Sequence, residues 1–538
     1  MIDDIRLCRA DGTEALTRDD SLYVRFMKRW MALYRGDGLD FLANGKRIKP
    51  PVLECGRIVS GGRRVPSVRH AAYRSSDGRE ALVIANASET AQKCACTWKG
   101  KRREYSLAAG EIMLDVVPAA GDASAGPLEK AILHGETDKR AIDYAPGEEM
   151  VFTLSLRDAK PFPDGKYFIQ WDRTGDDGLK DGGRVPLSMR SKPLVIRTSI
   201  DKPGFVRVHA VVVDAKGERI KRPGRWDDVN VFFDGGAGVK PETLRQGVPE
   251  PEDFDEFWAK RRARLAKVPL KAWTKDVSTA KAQNARVYQV SVACAGPRPV
   301  TGHLTVPRTA GKWPARLTLD GYGSSTVEKA PADGAADEVV LHINAHGYEI
   351  GREKEYYTEF YDSIKSGGEN YAMDVRQNAS PETCYFSGMS YRVMRALEYL
   401  KSRAEWNGRD LIVKGGSQGG LQTAWAAALD RDVTRAESSI TWCCDLGGET
   451  VGRNRGSWYV HWAKGLGYYD PVNMAKRVPK TCTFVVPRAG LGDYVCPPSG
   501  LWAMWNELRC PKEITWLQGS THGYVPREPD HQRFTIKE

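Results

Sequence analysis

The stretch 411-LIVKGGSQGGLQTAWAAALD-430 decides how the rest of the chain is read. The apolar 411-LIVK-414 reads as a buried strand and 421-LQTAWAAALD-430 as a helix. Between them, 415-GGSQGG-420 contains G-x-S-x-G as Gly415, Ser417 and Gly419. Strand, sharp turn and helix are the setting in which a serine becomes an exposed nucleophile. The turn forces the serine into a strained backbone, and side chains at the flanking glycines would clash. A phosphate-cradling or packing turn fits the bare pattern too; the flanking strand and helix favour the nucleophile.

A serine hydroxyl needs a base to take its proton. In the α/β-hydrolase arrangement an acid and then a histidine follow the serine in chain order. Of nine histidines, His522 in 519-GSTHGY-524 lies in a small, open loop after the last strong strand. His531 is the second choice; His303, His342 and His346 precede the serine and fit the order badly. For the acid, 482-CTFVVPRAGLGDYVCPP-498 offers an apolar strand and then a glycine-containing loop with Asp493. Asp430, Asp432, Asp445 and Asp470 lie in the same interval, but only Asp493 sits at a late strand-end loop. Two N–H donors are expected for the oxyanion, from Gln418 after the serine and from Tyr322 in 320-DGYG-323. Tyr322, Trp442 and Tyr494 are bulky neighbours of these residues and predict a shallow aromatic acyl pocket.

Outward from the elbow, residues 240–538 alternate strands with helical stretches, which predicts a layered α/β fold with a largely parallel sheet. In 389–405, Val393, Leu397, Leu400 and Ala404 fall at helical spacing. Two all-β segments come before. Residues 1–118 carry a short helix at 21–35 and strand-like runs at 68–74, 80–86, 94–98 and 111–117. Residues 128–236 carry runs at 150–156, 167–171, 194–200, 205–213 and 229–233 without helices, which predicts an immunoglobulin-like sandwich. The stretches 118-PAAGDASAGP-127 and 234-DGGAG-238 read as joints. On that reading few contacts cross them, and 240–538 folds and acts without the rest.

Composition narrows the class. The 538 residues are 41% hydrophobic and 28% charged, with a net charge of +11. The basic residues interleave with acidic ones, as in 99-KGKRREY-105, so nucleic acid is not an expected partner. No apolar run is long enough to span a membrane. The first twenty residues lack the apolar core and cleavage site of a signal peptide. The expectation is an intracellular protein, or one whose true start is not Met1. Eleven cysteines form no metal-type pattern, and no metal or cofactor is expected. Cys94 and Cys96 are expected on one face of a strand.

Residues from about 249 to 526 resemble carbohydrate esterase family 7, the acetylxylan esterases and cephalosporin-C deacetylases. The stretches 251-PEDFDEFW-258, 318-TLDGYG-323, 395-RALEYLKSRAEWNGRDLIVKGGSQGG-420, 490-GLGDYVCPPS-499 and 521-THGY-524 carry the resemblance. It implies Ser417, Asp493 and His522 as the triad, Tyr322 and Gln418 as the oxyanion donors, acetylated carbohydrate as substrate and no metal. Asp320 stands where the family usually has His, and Gly523 where it usually has Glu. The family's Arg-Gly-Gln motif has at best a relic in 375-VRQNAS-380. These departures bear on substrate preference and on the hexamer usual in the family; a homo-oligomer is an expectation. Residues 25–51 and 68–86 are similar to the C-terminal β-domain of some bacterial glycoside hydrolases, which implies a piece of a longer, secreted or periplasmic, polysaccharide-degrading protein. The reading is thus a serine carbohydrate acetylesterase. The alternatives are a general esterase, a peptidase related to prolyl oligopeptidases, or a carbohydrate-binding scaffold with an inactive esterase domain.

Overall fold

The computed structural model describes residues 22–36, 38–60, 63–75, 79–86, 88–117, 126–188, 192–223, 228–323, 326–456, 458–527 and 531–538. Most of the 118–127 joint lies outside them. The chain forms two compact units, 1–130 with 222–229, and 131–221 with 230–538.

In the first unit, the helix Leu22–Arg35 precedes two antiparallel sheets. One orders Lys46–Ile48, Arg69–Arg74, Glu80–Ala85 and Ile112–Val117; the other orders Glu54–Cys55, Gln92–Trp98 and Lys101–Leu107. Period-two alternation turns Cys94, Cys96 and Trp98 into a core with Leu82, Ile84 and Leu107. The charged run 101–107, which gave no apolar signal, is also a strand: Tyr105 and Leu107 point in while Lys101 and Arg102 stay in water.

The second unit begins with two antiparallel sheets. Three strands, Ile132–Thr137, Met150–Arg157 and Leu194–Thr198, form one; Asp181–Leu187, Tyr167–Gly175, Gly204–Asp214 and Phe232–Val239 form the other in that order. The strands at 132–137 and 181–187 were not expected. Residues 234–238, expected as a joint, are instead the interior of the edge strand Phe232–Val239, hydrogen-bonded along Gly204–Asp214 and buried from Phe233 to Val239. Glycines are needed there because the backbone is crowded: a Cβ on Gly236 would lie 2.7 Å from the Val206 carbonyl oxygen and 2.9 Å from that of Leu491.

A ten-stranded mixed sheet fills the rest. Its order is Ala272–Asp276, Ala285–Val292, Val300–Pro307, Val339–Ile343, Trp313–Leu319, Trp406–Gly416, Arg435–Ser439, Thr483–Gly490, Lys512–Leu517 and Arg533–Lys537. The strands from Val339–Ile343 to Lys512–Leu517 pair in parallel, and antiparallel strands close both edges. This is the α/β-hydrolase order, with the reversal at Val339–Ile343 and Trp313–Leu319. The expected helix is Phe386–Lys401, where Val393, Leu397 and Leu400 are fully buried; Ala404 lies beyond its end and is exposed. Parallel strands place their C-terminal ends on one edge, so the loops after Leu319, Gly416, Gly490 and Leu517 share one rim of the sheet. Among the described residues no helix is long and apolar enough to cross a membrane, and ten cysteines are free.

Candidate active site

Ser417 stands between the strand Trp406–Gly416 and the helix Gln418–Leu429. Its φ of 57° and ψ of −119° form a backbone that a residue with a side chain rarely adopts. The glycines make that turn possible. A Cβ on Gly415 would lie 2.4 Å from the Gly419 carbonyl oxygen, and one on Gly419 would lie 2.2 Å from that of Leu319. The Ser417 N–H donates to Ser439 O at 3.0 Å and its carbonyl accepts from Trp442 N at 3.2 Å, so the next strand fixes the turn.

The histidine and acid predicted for this serine meet it. His522 Nε2 lies 3.0 Å from Ser417 Oγ, and His522 Nδ1 lies 3.0 Å from Asp493 Oδ2. The other carboxylate oxygen of Asp493 accepts N–H bonds from Val495 and Cys496 at 3.1 and 3.0 Å. These two bonds orient a carboxylate that is wholly buried, while the imidazole is 29% exposed and open to a reactant. Arg488 Nη2 donates to His522 O at 2.5 Å and steadies the loop.

The rival acids are spent elsewhere. Asp430 and Asp432 pair with Lys401. Asp445 pairs with Arg453 and accepts from Gly247 N. Asp470 caps the helix Pro471–Ala475 and accepts three backbone N–H groups; burial pushes its carboxyl up to about 7. His531 contacts the Arg527 carbonyl. Burial holds His303 down at about 4 and His346 at about 3, so both stay neutral.

The 320–323 loop and the elbow are tied together by a residue that no sequence motif marked. Tyr371 OH accepts from Gly323 N and donates to Gln418 Oε1, both at 2.8 Å. Its ring stacks on Tyr322 with centroids 4.1 Å apart, and Tyr322 OH donates to the Tyr371 carbonyl at 2.8 Å. Gln418 opens its helix, so its N–H has no carbonyl four residues earlier within the helix. Asp320, in the family's usual His position, lies 2.8 Å from His342 Nε2.

The aromatic wall differs in part from expectation. Tyr322 meets Trp442 edge-on at 5.3 Å, and it meets Trp458, which the sequence reading did not select, at 5.1 Å. Tyr494 is not among them: it is 4% exposed and lies under the Arg207 guanidinium. Asp493 and Tyr494 sit in a tight turn in which Asp493 Oδ1 accepts from Val495 N and Cys496 N; Asp493 faces His522, and Tyr494 packs under Arg207. A cavity of about 50 Å³ lies next to the site, between Trp442, Val495 and the 445–460 loop. Among the described residues, Asp493, Cys496 and His522 are the group whose ligand atoms could hold a metal, all within 4.8 Å of one another. In this arrangement the His522–Asp493 hydrogen bond accounts for that closeness.

Comparison with known proteins identifies the family. The acetyl xylan esterase (AXE1) family matches residues 240–450 and 458–537, more than half of the chain. Acetyl esterase Axe7A of Xylanibacter ruminicola is 28% identical over 316 residues, which cover 55% of this chain and 70% of that protein. Among solved structures, an acetyl xylan esterase from Paenibacillus sp. R4 is 22% identical with a TM-score of 0.45, covering 53% of this chain and 94% of that one. Acetyl xylan esterase 1 from Thermoanaerobacterium sp. JW/SL YS485 is 20% identical with a TM-score of 0.44, covering 54% and 94%. The chain belongs to the acetyl xylan esterase family and is a carboxylic ester hydrolase.

Proposed function

We propose that this esterase removes acetyl groups from acetylated sugars or xylan through an acyl-enzyme on Ser417. The observation that carries the reading is the hydrogen-bonded chain from Ser417 Oγ through His522 to Asp493. His522 Nε2 takes the Ser417 proton as Oγ attacks the acetyl carbonyl. Asp493 holds the imidazole tautomer and offsets the charge of the imidazolium. The N–H groups of Gln418 and Tyr322 receive the oxyanion; one such donor is worth about 10²–10³ in turnover. His522 then protonates the departing sugar alcohol, and water, activated by the same imidazole, releases acetate. No step requires a metal or a cofactor.

The chain reads as three segments, 1–118, 128–236 and 240–538. The antiparallel sheets of three and four strands support an immunoglobulin-like sandwich for the second. For residues 1–236 taken alone we propose a binding or structural role, and for the whole a homo-oligomer. Acetate release from acetylated xylan, acetylated mannan and simple sugar acetates tests the activity. Release from 4-nitrophenyl acetate but from none of the carbohydrates would make this a general esterase, and cleavage of prolyl peptides alone would make it a peptidase. Light scattering of the purified chain tests the assembly.

A further inference from the structure

Residues 131–239 lie outside the family match, as do 451–457. These two departures meet each other. Asp176 Oδ1 accepts from Asn454 N at 2.7 Å, and Thr174 Oγ1 accepts from Asn454 Nδ2 at 2.9 Å. Asn454 lines the cavity beside the site, and Gly456 N donates to Tyr494 O at 2.6 Å, one residue from the acid.

The edge strand Phe232–Val239 reaches further. Gln518, just after the strand Lys512–Leu517 that leads to His522, accepts from Gly236 N and donates to Gly236 O, both at 2.9 Å. A Cβ on Gly492 would lie 1.9 Å from Asp234 O, so the loop carrying Asp493 presses directly on this strand. Above that contact, Arg207 forms a two-pronged pair with Asp234 at 2.8 and 2.6 Å, and its guanidinium lies 4.5 Å from the centre of the Tyr494 ring. Asp234 is 4% exposed. A planar cation clamped by a buried carboxylate is a rigid lid, and a guanidinium over an aromatic face is attractive. Tyr494 therefore cannot rotate outward without losing that stack, and Asp493 is its covalent neighbour.

We propose that Arg207 is a positioning residue for the esterase, acting through Tyr494 on the carboxylate of Asp493, so that the β-sandwich forms part of the catalytic machinery. This rests on the reading of Asp493 as the triad acid. Misplacement of a reacting group by about 1 Å can cost on the order of 10²-fold in rate, and the loss falls on kcat because Tyr322 and the Trp458 ring against it are untouched.

The test uses the full chain and 4-nitrophenyl acetate. The paired variant Arg207→Met with Asp234→Asn removes the lid without leaving a buried charge alone. Its kcat should fall at least about tenfold, with KM within about twofold and an unchanged circular dichroism spectrum. Residues in one chain of action are non-additive, so the pair should cost almost nothing further in an Asp493→Asn background. Arg184→Ala is the control: Arg184 stacks on Phe168 at the far edge of the same sheet and should leave kcat unchanged. If the paired variant does not fold, Arg207→Lys keeps the charge and loses the planar stack, and should lower kcat severalfold. A folded paired variant, or failing that a folded Arg207→Lys, with wild-type kcat would overturn the proposal. So would a loss that adds fully to that of Asp493→Asn. Wild-type activity in Asp493→Asn itself would instead remove the triad reading beneath it.

Discussion

Two glycine-rich runs in this chain look alike on paper and differ in what surrounds them. In 415-GGSQGG-420 the glycines let a strand turn into a helix within a few residues, and the flanking sequence announces both. In 234-DGGAG-238 they let a strand lie against the backbones of Val206 and Leu491 and the side chains of Phe205 and Gln518, none of which is adjacent in sequence. The physical cause is the same: there is no room for a Cβ. The difference is where the crowding atoms come from. At the elbow they come from the turn itself, from Leu319 and Asp320 at the end of one neighbouring strand, and from Ser438, Ser439 and Thr441 at the end of the other. At 234–238 they come from Phe233 in the strand itself, from Phe205 and Val206 on the neighbouring strand, from Leu491 in the acid loop and from Gln518 in the stretch before His522.

The comparison can be broken most sharply at the elbow. Ser417→Ala should abolish ester hydrolysis, with a loss on the order of 10⁴–10⁶ in turnover, while the melting temperature stays close to wild type. The serine is only partly buried, so deleting its hydroxyl opens no core cavity. Turnover within tenfold of wild type would mean that this glycine-rich turn is merely a turn. Asp493→Asn should cost about 10³–10⁴, because the amide presents the wrong partner to Nδ1. A larger loss from Asp445→Asn, measured with the same substrate, would move the acid to the 445 loop.

The second run is tested through stability and activity together. Gly236→Ala places a methyl group against two carbonyl oxygens, and overpacking of this kind costs about 1–3 kcal/mol. Because Gln518 bonds to Gly236 through both its N–H and its carbonyl, the unfolding midpoint in urea and the kcat should fall together. A variant equal to wild type in both would restore the reading of 234–238 as a loose joint. The smallest effect concerns the pocket beside the first run. Tyr322 packs edge-on against Trp442 and Trp458; if these rings bound the acyl group, one methylene is worth only ~1–3 kcal/mol there. Across 4-nitrophenyl esters from acetate to octanoate, kcat/KM should fall at least about tenfold from acetate to butyrate. A maximum at butyrate or beyond would indicate an open pocket.

Much of the site was legible because its signals are local. The strand before Ser417, the small loop around His522 and the late strand-end loop with Asp493 each show within a dozen residues. The chain order of serine, acid and histidine then removed most of the competing groups. Tyr371 was not legible. It sits in 369-ENYAMDV-375, without a repeat, a motif or a periodic neighbour, and acts only because its hydroxyl reaches both Gly323 and Gln418. Tyr494 is next to the acid in sequence, which suggests the pocket, yet it is buried under Arg207, 287 positions earlier, which no local pattern marks.

By itself, the sequence determined the alternation of strand and helix from residue 240, the elbow, the three residues that meet there, and the all-β character of what precedes them. Those properties follow from hydrophobic periodicity and turn chemistry, which depend on near neighbours along the chain. Only the tertiary structure decided that 232–239 is a buried strand, that Arg207 covers Tyr494, and that Asn454 is held by Asp176. Each of these is a contact between residues tens to hundreds of positions apart, and close packing, which leaves no trace in local pattern, is what selects the glycine, the arginine or the aspartate at those points.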